Sequence, residues 1–390
     1  MDTPRYICSR PFKWFEITPS GDVYACCPTW LPKPIGNILQ QPVGEIWNSK
    51  EAQAIRQSML DGTFRYCNKL LCPNLQLLTS SVQKITDVRD KDVRFAIDHN
   101  ATTLPYGPRT INCGFDRSCN LSCPTCRLNT IIATGKDKER VWKIIDTVER
   151  EATRELRELY ITGSGDPFGS PHFFTWLRRM KAKDFPSLKT IHLHTNGQLF
   201  TPKTWQMMSN INNFIRSVEI SIDAATPETY AVNRRGGNFK RLTENLTFIQ
   251  QLRSSGKLRF VCISFVIQAN NFREVPMFVR IRKQFDFDVA YFSQLVNWGT
   301  FTEKEYLARA VHLPEHPQYG QFRAIMDAVD IHPTKMPGNR TNIPTFIHQT
   351  ERKQYTNYIS QRNAQQSTGF LWMKKIESFA KTIHPHSPKV

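Results

Sequence analysis

Strand-like and helix-like stretches alternate six times through the middle of this 390-residue chain, and that alternation predicts an α/β fold. The strand candidates are 109–115, 158–162, 190–194, 218–222, 259–267 and 288–292; after the first, Val141, Ile144, Ile145 and Val148 recur on one helix face. Repeated β-α units favour a parallel sheet with right-handed crossovers, as in an open barrel. The expectation for 108–300 is a partial (β/α)6 barrel of the TIM type, with functional residues just past the strand ends. A cysteine-rich, weakly periodic segment (1–78) precedes it as a small irregular domain, and a basic segment containing aromatics (301–390) follows as a helical extension. The stretch 79–107 is polar, mixed in charge and closed by Pro and Gly, and reads as a linker.

Composition narrows the function classes. Hydrophobic residues make up 40%, enough for a core, yet no run of eighteen apolar residues occurs, so no membrane span is expected. The opening MDTPRYICSRPFKWF lacks the apolar stretch of a secretory signal, and a cytoplasmic location is expected. Ten cysteines in a reducing compartment argue for metal rather than disulfides. Five of them lie before residue 73, four between 113 and 126, and Cys262, mid-strand, reads as a buried inert thiol. The net charge of +18 would attract polyanions, nucleic acid included, but no dense basic block occurs, and dispersal over solvated helix faces explains it equally well.

The most informative stretch is CNLSCPTC, in which Cys119, Cys123 and Cys126 are spaced C-x3-C-x2-C and followed by Arg127. Three thiolates on one tight loop can hold three irons of a [4Fe-4S] cluster and leave the fourth iron open. An open coordination position marks a metal centre that does chemistry. The alternative is zinc with Cys113 as fourth ligand, although structural zinc usually takes two separated pairs. The loop resembles the signature of the radical S-adenosylmethionine (SAM) enzymes. That resemblance implies that SAM chelates the open iron through its amino and carboxylate groups and is split to a 5'-deoxyadenosyl radical. The family commonly has an aromatic residue before the last cysteine, where this sequence has Thr125, which weakens the expected adenine contact.

In EITPSGDVYACC a Ser20-Gly21-Asp22 turn separates two alternating runs, a hairpin delivering Cys26 or Cys27 to a site shared with Cys8. A helix is expected over 43–60 from Ile46, Trp47, Ile55, Met59 and Leu60, after which RYCNKLLCP supplies Cys67 and Cys72. The spacing Cys8-x12-Gly21-x4-Cys26, with IGNILQQPVGEIWNS ending at Ser49, resembles the SPASM/twitch auxiliary-cluster module of radical SAM enzymes. The resemblance implies a second [4Fe-4S] cluster on Cys8, Cys26, Cys67 and Cys72, with Cys27 spare. In the family this module normally follows the barrel, and five cysteines suffice for one such cluster, not two. A small zinc knuckle is the competing reading.

Within the barrel, TGSGDP (162–167) looks like the family's motif for the SAM amino group, with Gly163, Ser164 and Gly165 allowing close backbone approach and Asp166 offering an acceptor for an ammonium. Asn196 and Gly197 turn the chain after the third strand. Ser221 and Asp223 stand two apart at the end of the fourth, facing the same way as a ribose diol would require. Arg234 matches the family's arginine for the SAM carboxylate; the alternative has Thr226 capping a helix, Pro227 at its first position and Arg234 on a solvated face. The fifth strand ends at Gln268, followed by Asn270 and Asn271; Gln294 and Asn297 are candidates to read the adenine or substrate, or to satisfy loop backbone. His312, His316, His384 and His386 form no metal pattern, and Phe370, Leu371, Ile376, Phe379 and Ile383 make an amphipathic face for packing or for covering the barrel.

The expected function is that of a radical SAM enzyme abstracting hydrogen from a peptide or carbohydrate-type substrate, supplied with electrons by an external donor such as a ferredoxin or flavodoxin. The alternatives are an RNA-modifying radical SAM enzyme, which the charge would suit, and a non-catalytic iron-sulfur electron carrier, for which an open iron would have no use.

Overall fold

The structure, a computed structural model, describes residues 5–69, 72–77, 79–161, 164–329, 331 and 338–343. Among the described residues twelve strands form: β1 (Tyr6–Cys8), β2 (Trp14–Ile17), β3 (Asp22–Tyr24), β4 (Pro34–Asn37), β5 (Val82–Lys84), β6 (Thr110–Cys113), β7 (Glu158–Ile161), β8 (Thr190–Thr195), β9 (Ile215–Ser221), β10 (Phe260–Ile267), β11 (Val289–Gln294) and β12 (Gly338–Thr341). Ten of them form one sheet in the order β12-β11-β10-β9-β8-β7-β6-β2-β3-β4, and β1 pairs antiparallel with β5. The run β6 to β11 is parallel throughout, in chain order, as a partial α/β barrel requires.

All six expected strands form, with ends moved by up to three residues. Their alternation sets the layers. In β8, Ile191, Leu193 and Thr195 are buried beneath the helices while His192 and His194 alternate onto the inner face. The helix Gly135–Glu151 buries Val141, Ile144, Ile145 and Val148, the face read from the sequence.

The N-terminal segment is built onto the barrel. Strand β2 pairs in parallel with β6, Glu16 opposite Asn112 and Ile17 opposite Cys113, so the cysteine-rich segment extends the barrel sheet. The β2-β3 hairpin turns at Gly21, whose φ of +86° and close approach to Leu39 leave no room for a side chain.

Two expectations are corrected. The stretch 79–107, read as linker, contains β5 and the helix Lys91–Asp98, capped by Asp90 and anchored where Asp92 pairs with Arg109 at 2.9 Å. Its polarity lies on the outer face, while Val82, Val88, Val93, Ala96 and Leu104 are buried. The single helix expected over 43–60 is two, Val43–Trp47 and Lys50–Leu60, because the Ser49 hydroxyl accepts from the Ala52 N–H and starts a new helix. Residues 344–390, with the expected amphipathic face and His384 and His386, lie outside the described residues. Among the described residues no helix is long and apolar enough to cross a membrane.

Arg56 holds this N-terminal unit together. Fully buried, it donates to the carbonyls of Pro11 (3.0 Å), Trp47 (2.7 Å) and Thr102 (2.8 Å) and to Asn48 Oδ1 (3.0 Å). Its guanidinium lies 4.4 Å over the Trp47 ring, and burial pushes its pKa down to about 9. Arg56→Met should strand those buried acceptors and lower stability by about 3 kcal/mol in urea unfolding, with Arg56→Lys restoring only part, since an ammonium lacks the planar fork.

Candidate active site and auxiliary cysteine site

The loop after β6 is shaped by Asp116, whose buried carboxylate accepts from the Ser118 N–H (2.9 Å) and hydroxyl (2.7 Å) and from the Ser170 hydroxyl. The Cys119 N–H donates to Ile131 O at 2.8 Å, and Cys123 O accepts from the N–H groups of Cys126 and Arg127, both at 2.9 Å, which folds the loop back on itself. Each thiol then meets its own donor. Cys119 Sγ accepts from the Leu121 N–H (3.4 Å) and Asn196 Nδ2 (3.7 Å), Cys123 Sγ from Arg234 Nη1 (3.7 Å) and Cys126 Sγ from Arg127 Nη2 (3.3 Å).

Burial, with Asp166 adding to it, pushes the Cys119 thiol up to about 11, and burial raises Cys123 although Arg234 opposes it. Iron would displace these protons outright. Among the described residues no three His, Cys, Asp or Glu side chains converge to hold a single metal ion. A cubane binds each cysteine at a different iron and needs no such convergence, so a donor set of three spaced thiols fits it. Cys113 is buried in β6, with desolvation alone raising its pKa, and does not join them.

Thr162 and Gly163 lie outside the described residues; the rest of TGSGDP serves the cysteine loop. The Ser164 hydroxyl donates to Gly114 O at 2.6 Å, and its carbonyl accepts from Arg127. A side chain at Gly165 would run into the backbone carbonyls of Asp116 and Ser118. Asp166, expected to accept an ammonium, is already saturated: it accepts from the N–H groups of Phe168 (2.9 Å), Gly169 (2.8 Å) and Asn196 (2.7 Å) and from the Thr195 hydroxyl (2.8 Å). Its role is to fix Asn196 against Cys119.

Ser221 and Asp223 do not form a same-facing pair. The strand ends at Ser221, whose hydroxyl meets His194 Nε2 at 2.7 Å, whereas Asp223 turns away at φ +57°. The buried Asp223 carboxylate pairs with Arg234 at 2.8 Å and accepts from the Val266 N–H at 2.7 Å. Burial raises its pKa, against the pull of Arg234. Arg234 is itself shielded rather than on a solvated face: desolvation opposes its charge, but Asp223 and Cys123 hold it, and its buried Nε has no hydrogen-bond partner among the described residues. Thr226 and Pro227 do start a helix, as the sequence suggests. Asn271 and Asn297 satisfy backbone groups in their loops.

Cys8, Cys26, Cys67 and Cys72 come together from four stretches of chain. Burial pushes Cys8 up to about 12 and Cys26 to about 11; Cys26 and Cys72 add to the rise at Cys8, Cys72 to that at Cys26, and Cys8, Cys26 and Cys72 to that at Cys67. Cys27 is coupled to Cys26 alone among them, and its thiol is hydrogen-bonded at Thr29. Arg10 lies beside Cys8 and Cys26 with its guanidinium 4.2 Å over Trp14.

A cavity of about 400 Å³ inside the barrel is lined by Tyr160, His192, His194, Ser217, Glu219 and Phe260, none of which the sequence reading selected. The available signal was the polar residue at every second position of β8 and β9, the reverse of a dry sheet core.

Both cysteine groups fall inside family matches: the model of the SPASM iron-sulfur cluster-binding domain covers residues 8–73, and that of the radical SAM superfamily covers residues 115–274. The chain carries a SPASM domain followed by a radical SAM domain. Its two domains imply iron-sulfur clusters and SAM as cofactors, and the SPASM domain precedes the radical SAM domain. Similar solved structures include SuiB of Streptococcus suis (17% identity, TM-score 0.40, covering 64% of this chain and 52% of SuiB). Others are native anSMEcpe with bound AdoMet and a Kp18Cys peptide (19%, 0.35, 50% and 56%) and a radical SAM methyltransferase from Sphaerobacter thermophilus (16%, 0.33, 57% and 62%). This radical SAM chain thus matches about half the length of SuiB. No curated protein matches it.

Gly165→Ala should push the cysteine loop off its seat and lower the iron bound per chain after anaerobic reconstitution. Cys26→Ser should likewise lose iron, whereas Cys27→Ser should retain the wild-type iron content and visible absorbance.

Proposed function

We propose that this radical SAM protein is an enzyme that reductively cleaves SAM and uses the 5'-deoxyadenosyl radical to take a hydrogen atom from a peptide or carbohydrate-type substrate. The carrying observation is the set of three thiols on one loop, each with its own N–H donor, which accounts for three corners of a cubane. When bound, a [4Fe-4S] cluster there supplies one electron to the sulfonium of SAM through its open iron. Asn196, Arg127 and Arg234 offset the charge of the thiolates, and such hydrogen bonds tune the potential of a cluster.

The backbone of 163–165 and the unpartnered Nε of Arg234 are the groups we assign to SAM. Asp223 steadies Arg234 beside Cys123, and the barrel wall shields the reacting atoms from water. Cys8, Cys26, Cys67 and Cys72 are assigned to one auxiliary [4Fe-4S] cluster, and electrons come from an external ferredoxin- or flavodoxin-like donor.

Anaerobically reconstituted protein given dithionite and SAM should form 5'-deoxyadenosine, and Cys123→Ala should abolish it. Cys67→Ala should retain some uncoupled SAM cleavage yet fail to form product. A reconstituted protein that leaves SAM intact would identify an electron carrier instead, and RNA binding that falls steeply across a salt series would move the substrate to nucleic acid.

A further inference from the structure

The barrel cavity carries an inference that rests on the hydrogen-abstraction reading above and deepens it. The whole chain is strongly basic, at +18, yet among the described residues no Lys or Arg lines this cavity. Its one carboxylate, Glu219, finds no Lys or Arg within ion-pairing distance among the described residues; the His194 imidazole stands 3.6 Å from it. His192 stacks on Tyr160 at 4.0 Å and 11°, and its buried Nε2 has no hydrogen-bond partner. Burial pushes the His192 pKa down to about 4, so this imidazole is neutral and sets no positive charge against the carboxylate. Arg10, on the Tyr160 side, lies over Trp14 and faces Glu16, while Arg340 of β12 acts on Tyr291 and on Cys262, the strand neighbour of Glu219.

The wall therefore offers one carboxylate with an imidazole rather than a Lys or Arg beside it, a hydroxyl, a second imidazole, and flat faces from Tyr160 and Phe260. A volume of about 400 Å³ admits one side chain or one sugar ring rather than a folded macromolecule. A relay of contacts connects it to the cysteine loop: His194 bonds Ser221, and two residues on, Asp223 pairs with the Arg234 that contacts Cys123. We propose that the barrel cavity recognises a protonated amine on the substrate, carried by a peptide side chain or by an amino sugar, with Glu219 as its counter-charge.

The test is calorimetric titration of the anaerobically reconstituted, SAM-loaded protein with two matched pairs of probes. These are Nα-acetyl-lysine methylamide against Nα-acetyl-norleucine methylamide, and glucosamine against glucose. At least one amine should bind about tenfold tighter than its neutral partner, since a charged hydrogen bond is lost in the latter. The pair that discriminates identifies the source of the amine. Glu219→Gln should bring that preference close to parity, and Ser217→Leu, which fills the cavity instead of changing its charge, should remove binding of the preferred amine. Equal binding within both pairs in the wild-type protein overturns the proposal, whether or not either variant folds. So does a preference that survives in a folded Glu219→Gln protein. Formation of 5'-deoxyadenosine by the wild type without any probe is scored separately: its absence with amine preference intact would sink the enzymatic reading and not the pocket, and the converse would sink the pocket alone.

Discussion

The carboxylate of Asp166 is the constraint on which the active end of the barrel depends. It accepts four hydrogen bonds from three consecutive pieces of structure: the turn after β7, the end of β8, and the backbone that carries Asn196. Its own N–H donates to Ser118 O in the cysteine loop. A buried charge is tolerated only when its lone pairs are met, and here meeting them fixes the relative positions of two strand ends and the loop between Cys119 and Cys126. Asp116 repeats the device one strand earlier by tying Ser118 to Ser170. Two desolvated carboxylates thus do locally what a longer hydrophobic contact does elsewhere.

The second organising feature is the parallel pairing of β2 with β6. It makes the SPASM segment part of the barrel wall instead of a domain on a tether. As a result Arg10, beside Cys8 and Cys26, stacks on Trp14, Trp14 contacts Tyr160 at 5.1 Å, and Tyr160 stacks on His192 in the cavity. The relay from Arg10 to His192 thus joins the surroundings of Cys8 and Cys26 to the barrel cavity through aromatic and imidazole rings.

Much of this was legible because it is local. Strand alternation in IHLHT, the turn at Gly21 and the close spacing of Cys119, Cys123 and Cys126 each depend on neighbours along the chain. Errors arose where a residue's duty is set by a distant partner. Asp166 looked available because two of its four donors, at Thr195 and Asn196, lie 29 and 30 residues away, and Ser221 with Asp223 looked paired because nothing local announces that the strand stops between them. The stretch 79–107 looked like a tether because its apolar residues are few, although they are the ones that pack, and the acceptor for Arg56 at Thr102 is 46 residues away.

The sequence by itself determined the order of strands and helices and which thiols are near enough along the chain to share a loop, since both follow from side-chain periodicity and backbone reach. Only the tertiary structure decided that Cys67 stands near Cys8, Cys26 and Cys72, that Arg234 pairs with Asp223, and that Glu219 lines a cavity where, among the described residues, no Lys or Arg reaches it. Those outcomes depend on how sheet twist and packing bring remote side chains together and on which charges are left desolvated, and neither quantity is written into any single stretch of chain.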